Sequence, residues 1–320
     1  MQLQFCSRAG VVEPDVSVRR STKVSAVQRR EGRWSRLRWL GYLTPAVALT
    51  GLFIVYPAIR SVQIAFLSWP GYGPTRNVGF GNFTGLWHDA VARSAVFHSL
   101  IYATLLAGGT VVVGTVIAIA IDRKVVGHTV FKFLIFLPVL LPTTFIGLAW
   151  ANGFDSYLGW VNPILSHVGL SHAWLSNPDT IIYAVVTAAI LAGTGFPMIV
   201  VLAALGDIPQ EIHEAATLDG VSSFQRAWKI SVPLVREVLA TLLLLQFIFG
   251  MGQFDFVYVM TNGGPGVSSE VISTFVYHQA FDDHRFGYAA AASLVMSLMI
   301  ALLALLYMTA FRARGMTRAG

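Results

Sequence analysis

Glu214-Ala215-Ala216-Thr217-Leu218-Asp219-Gly220, continuing to Ile230-Ser231-Val232-Pro233, is a charged, punctuated stretch in an otherwise apolar chain. Local chemistry predicts two short helices here. Asp207 with Gln210 three residues on makes a capping-box pattern, and Pro209 is tolerated in a first turn. Gly220 suits the left-handed residue that ends a helix. Ser222 with Gln225 repeats the capping pattern, and the second helix runs into Pro233. On the first helix Asp207, Glu211 and Glu214 share one face, and Ile208, Ile212 and Ala215 share another. The small Ala215 and Ala216 permit close approach by a second surface, where Glu214 can pair with a basic group. A solvated hairpin with no partner would be capped in the same way, so spacing alone leaves both readings open.

On either side of this stretch the chain is built for lipid. Of 320 residues, 55% are hydrophobic and only 12% charged, with a mean hydropathy of +0.64. Soluble domains carry roughly a quarter charged residues. The charges fall between apolar blocks about twenty residues long, the length a bilayer core demands. These blocks lie at about 41–66, 96–121, 130–150, 181–205, 238–260 and 288–311. The reading is all-α: a polytopic membrane protein with about six transmembrane helices and a cytoplasmic helical segment over 206–237. The transmembrane domain covers 39–311, between a basic tail over 1–38 and a short tail over 312–320. Pro45, Pro57, Pro138 and Pro142, then Gly193, Gly195 and Pro197, interrupt the apolar runs. Prolines merely kink membrane helices in some cases and mark broken, cavity-lining helices in others. The Gly193–Pro197 cluster is the densest and favours the second account.

Lys and Arg set the orientation. The N-terminal tail, the connections holding Arg123, Lys124 and Lys132 and then Arg226, Lys229 and Arg236, and the C-terminus are basic. The other side offers Arg76, Arg93 and Arg285 among Asp89, Asp155, Asp179, Glu270, Asp282 and Asp283. Both termini and residues 206–237 are therefore expected in the cytoplasm. The first apolar block is too long for the core of a cleaved signal peptide. The single cysteine, Cys6, excludes an internal disulfide.

Several chemistries are excluded. None of the four lysines follows a glycine, so no Walker A phosphate cradle exists and ATP hydrolysis belongs elsewhere. His213-Glu214 opens like a zinc-protease motif, but Thr217 stands where the second histidine belongs. There is no Gly-x-Ser-x-Gly elbow. The net charge of +6 lies mostly in the N-terminal tail, without the interleaved aromatics of a nucleic-acid surface. An ion-coupled carrier needs intramembrane carboxylates, and only Asp255 approaches that.

Polar groups inside a span face a cavity or another helix. Gln246 and Gln253 stand two turns apart in the fifth block with Phe249 and Gly250 between, which places them on one helix face. Amides and an aromatic ring together suit sugar hydroxyls and sugar faces. Interhelical hydrogen bonding is the competing account for such glutamines.

The run Val201-Leu-Ala-Ala-Leu-Gly-Asp-Ile-Pro-Gln-Glu-Ile-His-Glu-Ala-Ala-Thr-Leu-Asp-Gly220 resembles the coupling (EAA) motif of ABC importer permeases of the carbohydrate-uptake family, the maltose and glycerol-3-phosphate type. Phe254-Asp255-Phe-Val-Tyr-Val-Met-Thr261-Asn-Gly-Gly-Pro265 and Tyr277-His-Gln-Ala-Phe281 followed by Phe286-Gly-Tyr-Ala289 resemble further blocks of that family, and the Thr-x-Gly-Gly-Pro block resembles the first of the two permeases in such systems. Val221, Val232 and Glu237 depart from the usual Ala, Leu and Pro. The resemblance implies a bacterial inner-membrane, multi-pass permease that takes a sugar or sugar derivative from an extracytoplasmic solute-binding protein. It also implies a second homologous permease and a dimer of ATPase subunits, which bind the ATP and Mg, leaving no cofactor on this chain. The same machinery can carry glycerol-3-phosphate or a glycerophosphodiester, and the sequence does not name the solute. Implied coupling residues are Glu214, Ala215, Ala216, Asp219 and Gly220. Implied pathway residues are Thr194, Gly195, Met198, Gln246, Phe249, Gly250 and Gln253.

Overall fold

The computed structural model describes residues 42–122, 127–167, 169–170 and 172–316, with side chains as far as residue 309. The tail expected over 1–38, Arg123 and Lys124, and residues 317–320 lie outside the described residues. Contacts group the chain into two units, 1–59 and 60–320. In the first, the described residues begin helix α1 (Tyr42–Ala65). Gly51–Val55 within it form a π-helical turn. Pro57 accounts for that turn: its ring opposes the carbonyl four residues earlier, at Phe53, and a wider turn displaces it.

The second unit begins within the last turns of α1, and a short hairpin follows, β1 (Leu67–Ser68) paired antiparallel to β2 (Arg76–Asn77) with Leu67 opposite Asn77. Then come α2 (Gly81–His88) and α3 (Ala90–Asp122), a 33-residue helix about 50 Å long. Ala95, Ser99, Ala103, Thr110, Gly114 and Ala118 on α3 are buried, small side chains that let neighbouring helices approach closely. α4 (His128–Phe136) ends in a 3-10 turn over Leu137–Leu140, and α5 (Thr143–Gly153) leaves at 102°. α6 (Val161–Ser166), α7 (Ile181–Gly193) and α8 (Gly195–Gly206) follow, the last pair bent by 43°. α9 (Gln210–Leu218) and α10 (Ser223–Leu234) form the hairpin foreseen in the sequence. α11 (Arg236–Met251), α12 (Asp255–Thr261), α13 (Ile272–Tyr277) and α14 (Phe286–Met316) complete the chain.

Among the described residues α1, α3 and α14 are each long and apolar enough to cross a membrane, and the bent pairs α4–α5, α7–α8 and α10–α11 bring the total to six. The all-α expectation holds apart from the small hairpin. Three spans differ from uniform rods. The third breaks because Leu141, preceding Pro142, is driven to an extended conformation (φ −90°, ψ 150°). The fourth bends at Thr194, as the Gly193–Pro197 cluster suggested. The fifth, expected as continuous over 238–260, stops at Met251 and resumes at Asp255.

Two apolar clusters sit at different levels of α3. Tyr102 and Leu106 pack with Val185 of α7 and with Phe256 and Val257 of α12. Val111, Ala118 and Ile119 pack with Met198, Val201 and Leu205 of α8, Leu242 of α11 and Ala227 of α10. The second cluster fixes the hairpin to the membrane helices.

Candidate functional site

A cavity of about 320 Å³ opens among the breaks in these spans. Pro138 and Leu141 line it from the turn after α4, Thr143 and Ile146 from α5, and Gly193 and Phe196 from the bend between α7 and α8. Gln246 and Phe249 of α11, Gln253 beyond it and Phe256 of α12 complete the polar and aromatic lining. Broken helices thus surround a recess whose polar groups are two amides and one threonine.

Gln246 is only 6% exposed, and its Nε2 donates to Thr110 Oγ1 of α3 at 3.0 Å. Thr110 in turn donates to the Leu106 carbonyl at 2.6 Å. The amide therefore ties α11 to α3 while also bordering the cavity. Gln253 is not on the helix face of Gln246, because α11 has already ended; the break at Gly252 turns it into the same recess. Its main-chain carbonyl accepts from Ser273 Oγ. Its side-chain amide makes no hydrogen bond among the described residues. Phe249 is 59% exposed and presents an open ring face.

Four residues expected on the pathway stand in helix packing instead. Thr194 is buried, its Oγ1 donating to the Ile190 carbonyl at 2.6 Å. A Cβ on Gly195 would stand 2.6 Å from the Ile135 carbonyl oxygen, so this glycine lets the backbones of α8 and α4 approach closely. Met198 is fully buried among α3 and α8 side chains. Gly250 lies so close to α3 that an added Cβ would meet Ala103 Cα at 2.6 Å. Thr143, Phe196 and Phe256 line the recess in their place. The Pro138–Pro142 pair was the sequence signal for Thr143; nothing local marked Phe256.

The hairpin lies at the other end of α3. α9 starts at Gln210 with Pro209 at the N-cap, while Asp207 ends α8, so Asp207 is not a cap for α9. Gly220 adopts φ +72°, the left-handed turn foreseen. Ser222 and Gln225 form a reciprocal capping box. α10 does not stop before Pro233: a π-helical turn over Ala227–Ser231 admits the proline, and the helix ends at Leu234. Glu214 is exposed and accepts from Gln210 Nε2 at 2.9 Å. The two alanines differ, since Ala216 packs inward at 4% exposure while Ala215 faces out. Asp219 occupies the C-terminal end of α9, where the helix dipole opposes a carboxylate. Leu218, Phe224 and Trp228 are exposed on the same segment. Asp255, the single intramembrane carboxylate noted in the sequence, sits in the first turn of α12, where the dipole favours it.

A polar cluster occupies the loop after α12, remote from the hairpin. Glu270, 4% exposed, accepts from His278 Nδ1 at 3.1 Å, and His98 of α3 bonds the Glu270 carbonyl at 3.0 Å. Burial raises the Glu270 carboxyl above its ordinary value, and His278 partly opposes that shift. Gly263 packs so closely on this carboxylate that no Cβ fits.

Comparison with known proteins places this arrangement. Residues 110–315 match the family described as binding-protein-dependent transport system inner membrane component. A probable ABC transporter permease of Pyrococcus horikoshii is 29% identical over 271 residues, covering 83% of this chain and 93% of that protein. The sulfoquinovosyl glycerol transport system permease SmoG of Agrobacterium fabrum is 28% identical, covering 86% of this chain and 92% of its own length. A chain of a bacterial alginate ABC transporter, solved with its alginate pentasaccharide-bound periplasmic protein, superposes with TM-score 0.72 at 23% identity, covering 86% of this chain and 95% of that chain. With its helical breaks, capped hairpin and family match, this chain belongs to the inner-membrane components of binding-protein-dependent transport systems: it is a multi-pass ABC transporter permease, and its work is transport rather than catalysis.

Proposed function

We propose that this permease carries a sugar or sugar derivative through the recess lined by Gln246, Phe249 and Gln253, driven by ATPase subunits that grip the α9–α10 hairpin. The observation that carries the cargo assignment is the pairing of an unpartnered amide, Gln253, with an open aromatic face, Phe249, at a break between helices. Amides answer sugar hydroxyls, and aromatic rings answer the apolar faces of pyranoses. No Lys or Arg lines the recess among the described residues, which favours a neutral polyhydroxylated solute over glycerol-3-phosphate or a glycerophosphodiester. The names of the A. fabrum and alginate proteins specify carbohydrate cargoes, and we carry only that class to this chain.

Coupling rests on the hairpin. Glu214, Ala215 and Asp219 are exposed beside Leu218 and Phe224, an acidic and apolar surface suited to a protein partner. Ala216 and Gly220 hold the shape of that surface, from within and at the turn. The partners on this reading are an ATPase dimer holding ATP and Mg, a second homologous permease, and an extracytoplasmic binding protein. The hairpin and both termini face the cytoplasm. Ser222→Cys should resist an impermeant thiol reagent in intact cells while Ser268→Cys reacts; the reverse pattern would invert the topology. The cargo is tested in proteoliposomes holding the whole transporter and its binding protein, by ATP-dependent uptake of labelled sugars and glycerophosphodiesters. Uptake of glycerophosphodiesters alone would overturn the sugar assignment.

A further inference from the structure

We propose that the groove between α2, α3, α13 and α14 is a phospholipid site, with Arg93 meeting the lipid phosphate and one acyl chain lying against Phe275, Val295 and Met299. The groove is a recess of about 410 Å³, separate from the transport cavity. Its lining is apolar apart from Arg93. Arg93 is exposed at the mouth of this apolar lining, and no described residue pairs with its guanidinium. Asp89, four residues earlier in the link between α2 and α3, is already engaged. Its Oδ1 accepts from the Val91 amide at 2.8 Å and its Oδ2 from the Tyr288 hydroxyl at 2.9 Å. Arg285, the other cation nearby, is stacked over the Tyr288 ring at 4.2 Å. Arg93 makes no side-chain hydrogen bond or ion pair among the described residues.

Depth decides what the partner is. Arg93 lies near the start of α3, and Asp122, which borders the recess above the hairpin, ends that helix. Twenty-nine residues at 1.5 Å each separate them by about 44 Å, the thickness of a bilayer including its headgroups. Arg93 therefore sits at headgroup depth in the leaflet remote from the hairpin. Trp87 of α2, 75% exposed at the rim, is the residue type that belongs at that level. From there the groove descends along α14 past Ala292 and Val295 to Met299, about 10 Å further into the hydrocarbon. A cation at phosphate depth above an apolar channel running inward matches a glycerophospholipid and no water-soluble ligand. The guanidinium can chelate phosphate oxygens bidentately, as a lysine cannot.

The test uses the complete transporter in nanodiscs of phosphatidylglycerol and phosphatidylethanolamine, transferred to detergent and examined by native mass spectrometry. Wild type should retain phospholipid that survives delipidating washes. Arg93→Gln, a change at an exposed position, should lower that retention at least threefold, and Met299→Trp, which fills the channel, should remove it. Equal retention in all three would overturn the proposal. A benzophenone amino acid at Trp87 supplies an independent readout if Met299→Trp assembles poorly. Adducts with phospholipid support the site; adducts with the second permease mean that protein covers the groove, and refute it.

Discussion

Gln246 and Gln253 border one recess but stand in different mechanical situations, which makes their leucine variants a sharp comparison. Gln253→Leu removes an amide that bonds nothing in the chain. Folding should therefore be insensitive to it, and the melting temperature of the purified transporter should move by less than about 1 °C. If the amide bonds the solute, transport loses a hydrogen bond worth about 0.5–1.5 kcal/mol net. At 1.4 kcal/mol per factor of ten, this is a fall of about two- to tenfold in uptake at limiting solute. Gln246→Leu breaks the 3.0 Å bond to Thr110 between α11 and α3. Thr110 keeps its bond to the Leu106 carbonyl, so no buried hydroxyl is left bare. The cost should then be about 0.6–1.5 kcal/mol, at the scale of interhelical bonds in membranes. A chain of this size should lose about 1–2 °C in melting temperature. Uptake kinetics and thermal unfolding on the same preparations separate the two. Destabilisation by Gln253→Leu with unchanged apparent affinity would refute the placement of that amide in the solute path.

Three further outcomes follow from the geometry. Gly220→Pro cannot adopt φ +72°, and Glu214→Lys reverses the charge of the exposed face of α9; both should abolish ATP-driven uptake with protein levels in the membrane intact, and wild-type uptake in both would reduce the hairpin to a solvated loop. Gly250→Val should force α11 and α3 apart, since a Cβ would stand 2.6 Å from Ala103 Cα, at a cost of about 1–3 kcal/mol read as lower yield and melting temperature. Gly252→Ala, whose nearest neighbours stand at 3.8 Å or more, is the matched control and should be silent. The raised Glu270 carboxyl gives the loop after α12 a pH dependence of definite sign: its contribution is full below the unfolded value of 4.5 and is lost as pH rises through the higher folded value. Glu270→Gln should flatten the melting-temperature profile from pH 4.5 upward, and an unaltered profile would mean that this carboxyl does not govern it.

What the sequence disclosed and what it withheld divide along physical lines. Six apolar blocks and a capped hairpin were legible because a bilayer fixes span length and because caps act within four residues. Ser222 with Gln225 and the left-handed Gly220 depend on local bonding alone, and both stand as expected. Asp207 misled because two adjacent helices compete for it: it closes α8, and Pro209 begins α9. The cavity was half legible. Gln246, Phe249 and Gln253 were found through polarity in an apolar run, though the argument from one helix face fails where α11 ends. Thr194, Gly195, Met198 and Gly250 were assigned to the pathway, yet each is consumed by a contact between helices distant in sequence. Small and buried residues serve packing and pathways alike, and only tertiary structure distinguishes them.

On the proposed coupling role, α8 has a particular task. Its C-terminal Leu205 packs with Ala227 of the hairpin helix and Ile119 of α3, so a displacement of α9 and α10 must be borne by that end. Nine residues back, about 14 Å along the helix, Phe196 faces the cavity. Between the cavity and the remainder of the span lies the bend at Thr194, with Pro197 withholding a main-chain donor. Gly195 touches the backbone of α4 beside that bend, which leaves little freedom to slide there and favours rotation instead. A tilt of α8 about this contact would move Phe196 relative to Phe249 while leaving α7 in its packing with α3. On that proposal the small residue that the sequence placed in the solute path would serve as the pivot beside it: the contact that keeps Gly195 out of the cavity wall would give it leverage over the wall.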